Sequence, residues 1–160
     1  MQFYTKIFIL LFLSIIATGC MGPKKVNLTP LELQSLQTRE YTSSKEVVFP
    51  SVISLFQDLG YTVTNADKDT GLISAEGASD SNKLFKAFFG RTRVTQTVAT
   101  GYVEEIGSLT RVRLSFVEKL NSSSAWGQED REDTQILNAE IYQNAFERVE
   151  NEIFVRENSK

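Results

Sequence analysis

The sequence predicts an α+β domain: an antiparallel β-sheet of about five strands with two helices packed on one face, in the order β-α-β-β-β-β-α. Three observations carry this. Two long stretches repeat apolar residues at helical spacing. Several shorter ones alternate apolar and polar residues with period two. Glycine-bearing turns separate the alternating stretches. A sheet with one greasy face and two amphipathic helices all need cover. Laying both helices on that face satisfies every element in two layers.

Residues 35–41, SLQTREY, alternate loosely and read as the first strand. TSSKEVVFPSVISLFQDLGY follows and reads as a helix. Ser43 and Glu46 have capping-box spacing, and Val48, Val52, Leu55, Phe56 and Leu59 recur on one side. Gly60 stands where a left-handed cap belongs. Pro50 conflicts with this helix, because proline removes a donor and crowds the preceding turn. Either the helix kinks there, or it starts late enough to hold Pro50 in its first turn. YTVTNA and LISAEG then form a hairpin about the turn NADKDTG.

In ASDSNKLFKAFFGR, Ser81 or Asp80 would cap a short helix and Gly90 would end it. RVTQTVATGYVEE and LTRVRLSFVEK alternate most cleanly. Val94, Val98 and Tyr102 share one face of the first, and Thr95, Thr97 and Ala99 the other. Val112, Leu114 and Phe116 share one face of the second. Gly107 allows a tight turn between them. After the polar loop NSSSAWGQED, residues 130–156 read as a long helix. Its stripe is Ile136, Leu137, Ile141, Ala145, Phe146, Val149, Ile153 and Phe154. Glu129, Asp130, Glu132 and Asp133 would complement the positive end of that helix.

The start of the chain has another character. Lys6 is the only charge before Cys20. The apolar run IFILLFLSII follows it, and Ala17, Thr18 and Gly19 precede Cys20, the one cysteine. A positive start, a short greasy run and a small-residue exit mark residues 1–19 as a secretory signal. The run is shorter than the roughly 20 apolar residues that span a bilayer. Cys20 has no disulfide partner, and the chain contains no histidine to activate it.

The exit ATGC resembles the lipobox of bacterial lipoproteins. That resemblance implies cleavage between Gly19 and Cys20, and covalent diacylglycerol and acyl groups on Cys20. Several chains on one residue suffice for stable anchoring. Residues 20–33 are then the lipidated cysteine and a tether, and 34–157 a single α+β domain. Lys24 and Lys25 in the tether are solvated or touch lipid headgroups weakly.

Composition narrows the chemistry. The formal net charge is −3, and loss of the signal removes one further basic residue. An acidic domain without a basic tract is a poor partner for nucleic acid. Glu104 and Glu105 are adjacent, and neighbours on a strand point to opposite faces, so they do not form a catalytic pair. Asn65, Asp67, Asp69 and Glu76 imitate a calcium loop, but Thr70 stands where that loop needs glycine. With no histidine and the cysteine lipidated, zinc and haem lack their usual ligands.

The segment KLFKAFFGR is the most unusual. Leu84, Phe85, Phe88 and Phe89 lie between Lys83, Lys86 and Arg91. Either the segment folds back and buries these side chains, or it offers an apolar interaction patch.

The run VVFPSVISLFQDLGYTVTNADKDTGLISAE resembles the helix-grip domains of BamC-type lipoproteins, accessory members of the outer-membrane β-barrel assembly machinery. The shared pattern is a helix ending in LGY, an alternating strand, an acidic turn and TG leading into a strand. Those proteins carry a long N-terminal segment and two such domains, where this chain has a short tether and one. Met21 follows Cys20, whereas aspartate there marks inner-membrane retention in enteric bacteria. The resemblance therefore implies the outer membrane, periplasmic side.

The expectation is a non-enzymatic envelope lipoprotein, held to the membrane by its lipid anchor. It would act as an interaction or accessory module with an envelope protein partner, in outer-membrane assembly or maintenance. It would use no nucleic acid, metal or cofactor beyond the covalent lipid. The alternative is a periplasmic lipid or small-ligand binder with its pocket between the sheet and the C-terminal helix.

Overall fold

The computed structural model describes residues 28–81, 91–124 and 129–159. Helix α1 spans Pro30–Gln37, β1 Thr38–Tyr41, α2 Lys45–Asp58, β2 Thr62–Asp67 and β3 Leu72–Glu76. Then come β4 Asp80–Ser81, β5 Arg91–Ile106, β6 Leu109–Ser124, β7 Glu129–Gln135 and α3 Ala139–Asn158. All pairings are antiparallel. The sheet runs β1-β6-β5-β3-β2, with β4 added to β5 and β7 to β6. The expected α+β architecture holds: its five strands form this continuous path, and β4 and β7 extend it.

Helices α2 and α3 cover one face and run in opposite directions. Arg156 near the end of α3 meets Pro50 and Ser54 of α2, while Leu59 just past α2 neighbours Ile141 at the start of α3. The core between helices and sheet joins Val48, Phe49, Val52, Leu55 and Phe56 of α2 to Tyr142, Ala145, Phe146, Val149 and Ile153 of α3. Ile73 and Ala75, Ala99 and Val103, and Val112, Leu114 and Phe116 face them from the sheet. Phe116 lies edge-on to Phe56 and Tyr142, with ring centroids 6.4 Å and 5.4 Å apart. Each large side chain so buried contributes about 1.5–3 kcal/mol.

The buried face of β5 is the one with the smaller residues. A side-chain carbon at Gly101 would stand 3.0 Å from Val52 and 3.4 Å from Phe56, so α2 seats closely only because Gly101 is bare. Val98 and Tyr102 lie on the open face instead, where Tyr102 pairs with Leu72.

Two local expectations are corrected. Residues 30–37 form α1, not tether and strand. Thr29 caps it in a capping box with Glu32, and Pro30 occupies its first turn. The strand then starts at Thr38. Second, Glu129, Asp130, Glu132 and Asp133 belong to β7, not to a helix start. β-pairing of Glu129–Gln135 with β6 takes precedence, and α3 begins at Ala139 behind Asn138, whose side chain accepts from the Glu140 amide. The buried stripe is correspondingly rotated: Tyr142 is inside, while Ile141 and Phe154 are exposed. Asp80 and Ser81 form the short strand β4, and the helix that one of them was expected to cap lies outside the described residues.

Helix α2 holds Pro50 in its interior and starts after Ser44, whose side chain makes no cap. The Lys45 amide donates instead to the Glu105 carboxylate, at 3.3 Å. Gly60 and Gly107 take positive φ as their turns require.

One seam in the sheet is closed by side chains. Along β6, β1 pairs only with residues 110–113 and β7 only with residues 117–123. Between them the Phe116 backbone amide donates to the Tyr142 hydroxyl at 3.4 Å, and the buried Gln37 side-chain amide donates to the same oxygen at 3.3 Å. The Ile136 amide donates to the Phe116 carbonyl at 2.9 Å. Tyr142 thus stands in for a missing strand.

Candidate functional site

The residues singled out in the sequence, Gly19 and Cys20 at the lipobox and Leu84, Phe85, Phe88 and Phe89 in the aromatic segment, lie outside the described residues. What is described are the carboxylates, the turns and the surface grooves. Each can be followed from its strand or helix upward.

Glu104 and Glu105 take opposite faces, as alternation requires. Glu104 reaches Arg111 at 3.7 Å on the open face, where Arg111 also grips Glu40 at 2.8 Å. Glu105 serves the start of α2.

The calcium-like spacing is a turn. Asp67 accepts from the Asp69 amide at 3.0 Å and the Thr70 amide at 3.3 Å. The Thr70 hydrogen bonds hold the Asp67 carboxyl below its ordinary range. Gly71 then takes φ +79°, and a side-chain carbon there would fall 2.0 Å from the Val103 carbonyl. Only glycine fits both the dihedral and the space. Among the described residues no group of three or more aspartates, glutamates, cysteines or histidines is placed to hold a metal ion.

Two half-buried tyrosines carry raised hydroxyl pKa values. Burial pushes Tyr41 well above the ordinary phenol range, and its hydroxyl donates to the Phe146 carbonyl at 3.4 Å. Burial also raises Tyr61, opposed by a hydrogen bond with Thr97. Both act as neutral groups packed against the core.

A groove lined by described residues runs between the start of α2 and the end of α3. It is open to solvent and holds about 640 Å³. Val47, Pro50 and Val155 give it apolar walls, and Glu46, Glu152 and Arg156 its charges. Arg156 donates to the Ser54 hydroxyl at 2.6 Å and the Pro50 carbonyl at 3.4 Å, and pairs with Glu152 at 3.6 Å. One terminal nitrogen of the guanidinium thus straps the two helices together, while the buried Nε has no hydrogen-bond partner among the described residues. A smaller groove of about 270 Å³ lies between Leu59, Ile141 and Arg148. This outer seam offers surface for binding and no activated nucleophile. Sequence reasoning did not single out Arg156 or Tyr142. Tyr142 had a signal, since it shares helical spacing with Ala145, Phe146 and Val149, whereas a lone arginine near a helix end has none.

No family model and no curated protein matches the chain. Among solved structures it is similar to a DUF4468 family protein from Bacteroides ovatus. The two are 11% identical, the likeness covers 72% of this chain and 84% of that one, and the TM-score is 0.37.

Proposed function

We propose that the chain is a lipid-anchored envelope lipoprotein whose single folded domain is a non-enzymatic interaction or accessory module. The observation that carries this is the stretch SIIATGC, with the chain's one cysteine placed directly after a short apolar run and small residues. Its sulfur, once lipidated, is withdrawn from redox, metal and nucleophilic chemistry. Met21 after Cys20 favours the outer membrane, facing the periplasm.

The domain's interior supports a module over a ligand carrier. A lipid or small-ligand binder would hold its ligand between the sheet and the C-terminal helix. Phe116, Tyr142, Phe146 and Val149 fill that space. The grooves described above lie on the outer surface instead. Glu104, Glu105 and Asp67 each serve a structural contact, which supports the non-enzymatic reading.

Crosslinking in whole cells followed by purification of the lipidated protein tests the proposal. Recovery of a defined envelope partner is expected, and its absence, with lipid co-purifying in the folded domain, would favour the carrier. Labelled fatty acid is expected on the wild-type chain and lost in Cys20→Ser. Undiminished labelling of that variant refutes the anchor.

A further inference from the structure

We propose that the outward face of α1 rests on the bilayer surface, with Leu31 at the lipid interface. This rests on the reading of Cys20 as the lipid anchor. Two observations meet at this end of the domain. Leu31 is 75% exposed, the most exposed large apolar side chain among the described residues. It is also the one nearest in sequence to Cys20. Thr29, which caps α1, follows Cys20 by nine positions. At full extension such a stretch reaches about 30 Å, so an acylated Cys20 keeps α1 beside the headgroups.

The chemistry of the helix suits that contact. Its exposed residues are Pro30, Leu31, Glu32, Gln34 and Ser35. Glu32 carries the one charge among them, and its carboxylate is turned back on Thr29. It accepts from the Thr29 amide and hydroxyl, each at 2.7 Å. The Glu32 amide in turn donates to the Thr29 hydroxyl at 3.3 Å. The capping box thus satisfies donors at the helix start that would otherwise need water. On the inner side Leu36 packs against the core and Gln37 holds Tyr142, which fixes α1 to the domain. The other strongly exposed apolar residue, Phe154, lies far from this end. It follows Tyr142 by 12 positions, about 18 Å along α3.

The test uses the full-length acylated protein in vesicles of phosphatidylethanolamine and phosphatidylglycerol. Because lipid occupies the Cys20 sulfur, Leu31→Cys or Phe154→Cys supplies the only free thiol for an environment-sensitive fluorophore. Nitroxide-labelled lipids are then added as quenchers. The expected result is a blue shift and loss of fluorescence at position 31, with neither at position 154. Equal quenching at both positions, or none at 31, overturns the proposal. Mass spectrometry of each sample keeps the two failures apart. If Cys20 carries acyl groups and position 31 stays unquenched, only the orientation is wrong. If Cys20 carries none, the anchor reading falls and the orientation with it. Unchanged thermal melting of Leu31→Cys verifies that its helix is intact.

Discussion

Strands β5 and β6 pair along their whole length, but their two halves live in different surroundings. Near the hairpin turn, Ala99 and Val103 of β5 and Val112, Leu114 and Phe116 of β6 lie fully or almost fully buried under α2 and α3. Beyond Phe116 the cover ends. Glu118, on the same face as Phe116, is exposed, and every residue of β7 that flanks this far half is exposed. The near half is held by packing as well as by its backbone ladder. The far half relies mainly on the ladder, with β4 on one edge and β7 on the other. Core packing is thus concentrated in one half of the ribbon.

Two substitutions on one face test the contrast most directly. Phe116→Ala removes a ring packed against Phe56 and Tyr142 and is expected to cost about 3–5 kcal/mol. Leu120→Ala lies one step past Glu118 on the same face, where the side chain is half-buried, and is expected to cost about 1 kcal/mol. Urea denaturation of both variants reads the difference. Equal losses would mean that the far half is packed as firmly as the near one, and the division would fail.

Tyr142→Phe probes the boundary between the halves. The ring stays, and the hydroxyl that accepts from Phe116 and Gln37 goes. Leaving those buried donors unpaired is expected to cost about 1–3 kcal/mol. Hydrogen exchange at the Phe116 amide should accelerate more than at its neighbours in β6. A uniform acceleration would show that the hydroxyl contributes only to general packing.

How legible this was depended on whether a local pattern had a competitor. The helix around Val52 and the strand around Leu114 read clearly, because apolar spacing and burial coincide there. The α1 capping box was written in Thr29, Pro30 and Glu32, but the apolar count that follows is low and the stretch passed for tether. Residues 129–135 were misread for a different reason. Their acids suit a helix start on local grounds, and pairing with a strand that ends five residues upstream is a tertiary contact that periodicity does not report. The burial of Ala99 and Gly101 rather than Val98 and Tyr102 was likewise set by the close approach of α2. The surface grooves and Arg156 belong to the meeting of two helices, which the sequence presents far apart.

The turn before β3 supplies a pH-dependent test at the edge of the near half. The Gly71 carbonyl accepts from the Val103 amide at 2.9 Å, so the Asp67 turn is tied to β5. Asp67 is held below its ordinary pKa by hydrogen bonds, chiefly with Thr70. A group depressed in the folded state stabilises above its unfolded pKa of about 4 and loses that contribution as pH falls through the folded value. Asp67→Ala should therefore lower Tm at pH 7. The gap to the wild type should narrow at a pH well below 4, where both chains carry an uncharged residue. Melting curves at the two pH values check the sign, and a gap that widens in acid would overturn it.

The smallest effect on stability is expected at β7, and it separates folding from solubility. Asp130, Glu132 and Asp133 lie exposed on a strand whose outer edge has no described neighbour, and Lys119 stands opposite Asp133. Edge strands present unpaired backbone groups that invite another chain, and charges on them discourage that pairing. The combined variant Asp130→Asn, Glu132→Gln and Asp133→Asn keeps side-chain shape and removes three negative charges. Its unfolding free energy should stay within about 0.5 kcal/mol of the wild type, since no buried contact is touched. Light scattering at rising protein concentration should nevertheless show earlier self-association. If the variant instead unfolds readily while remaining monomeric, the acids of β7 hold the far half in place through charge, and the ladder alone does not.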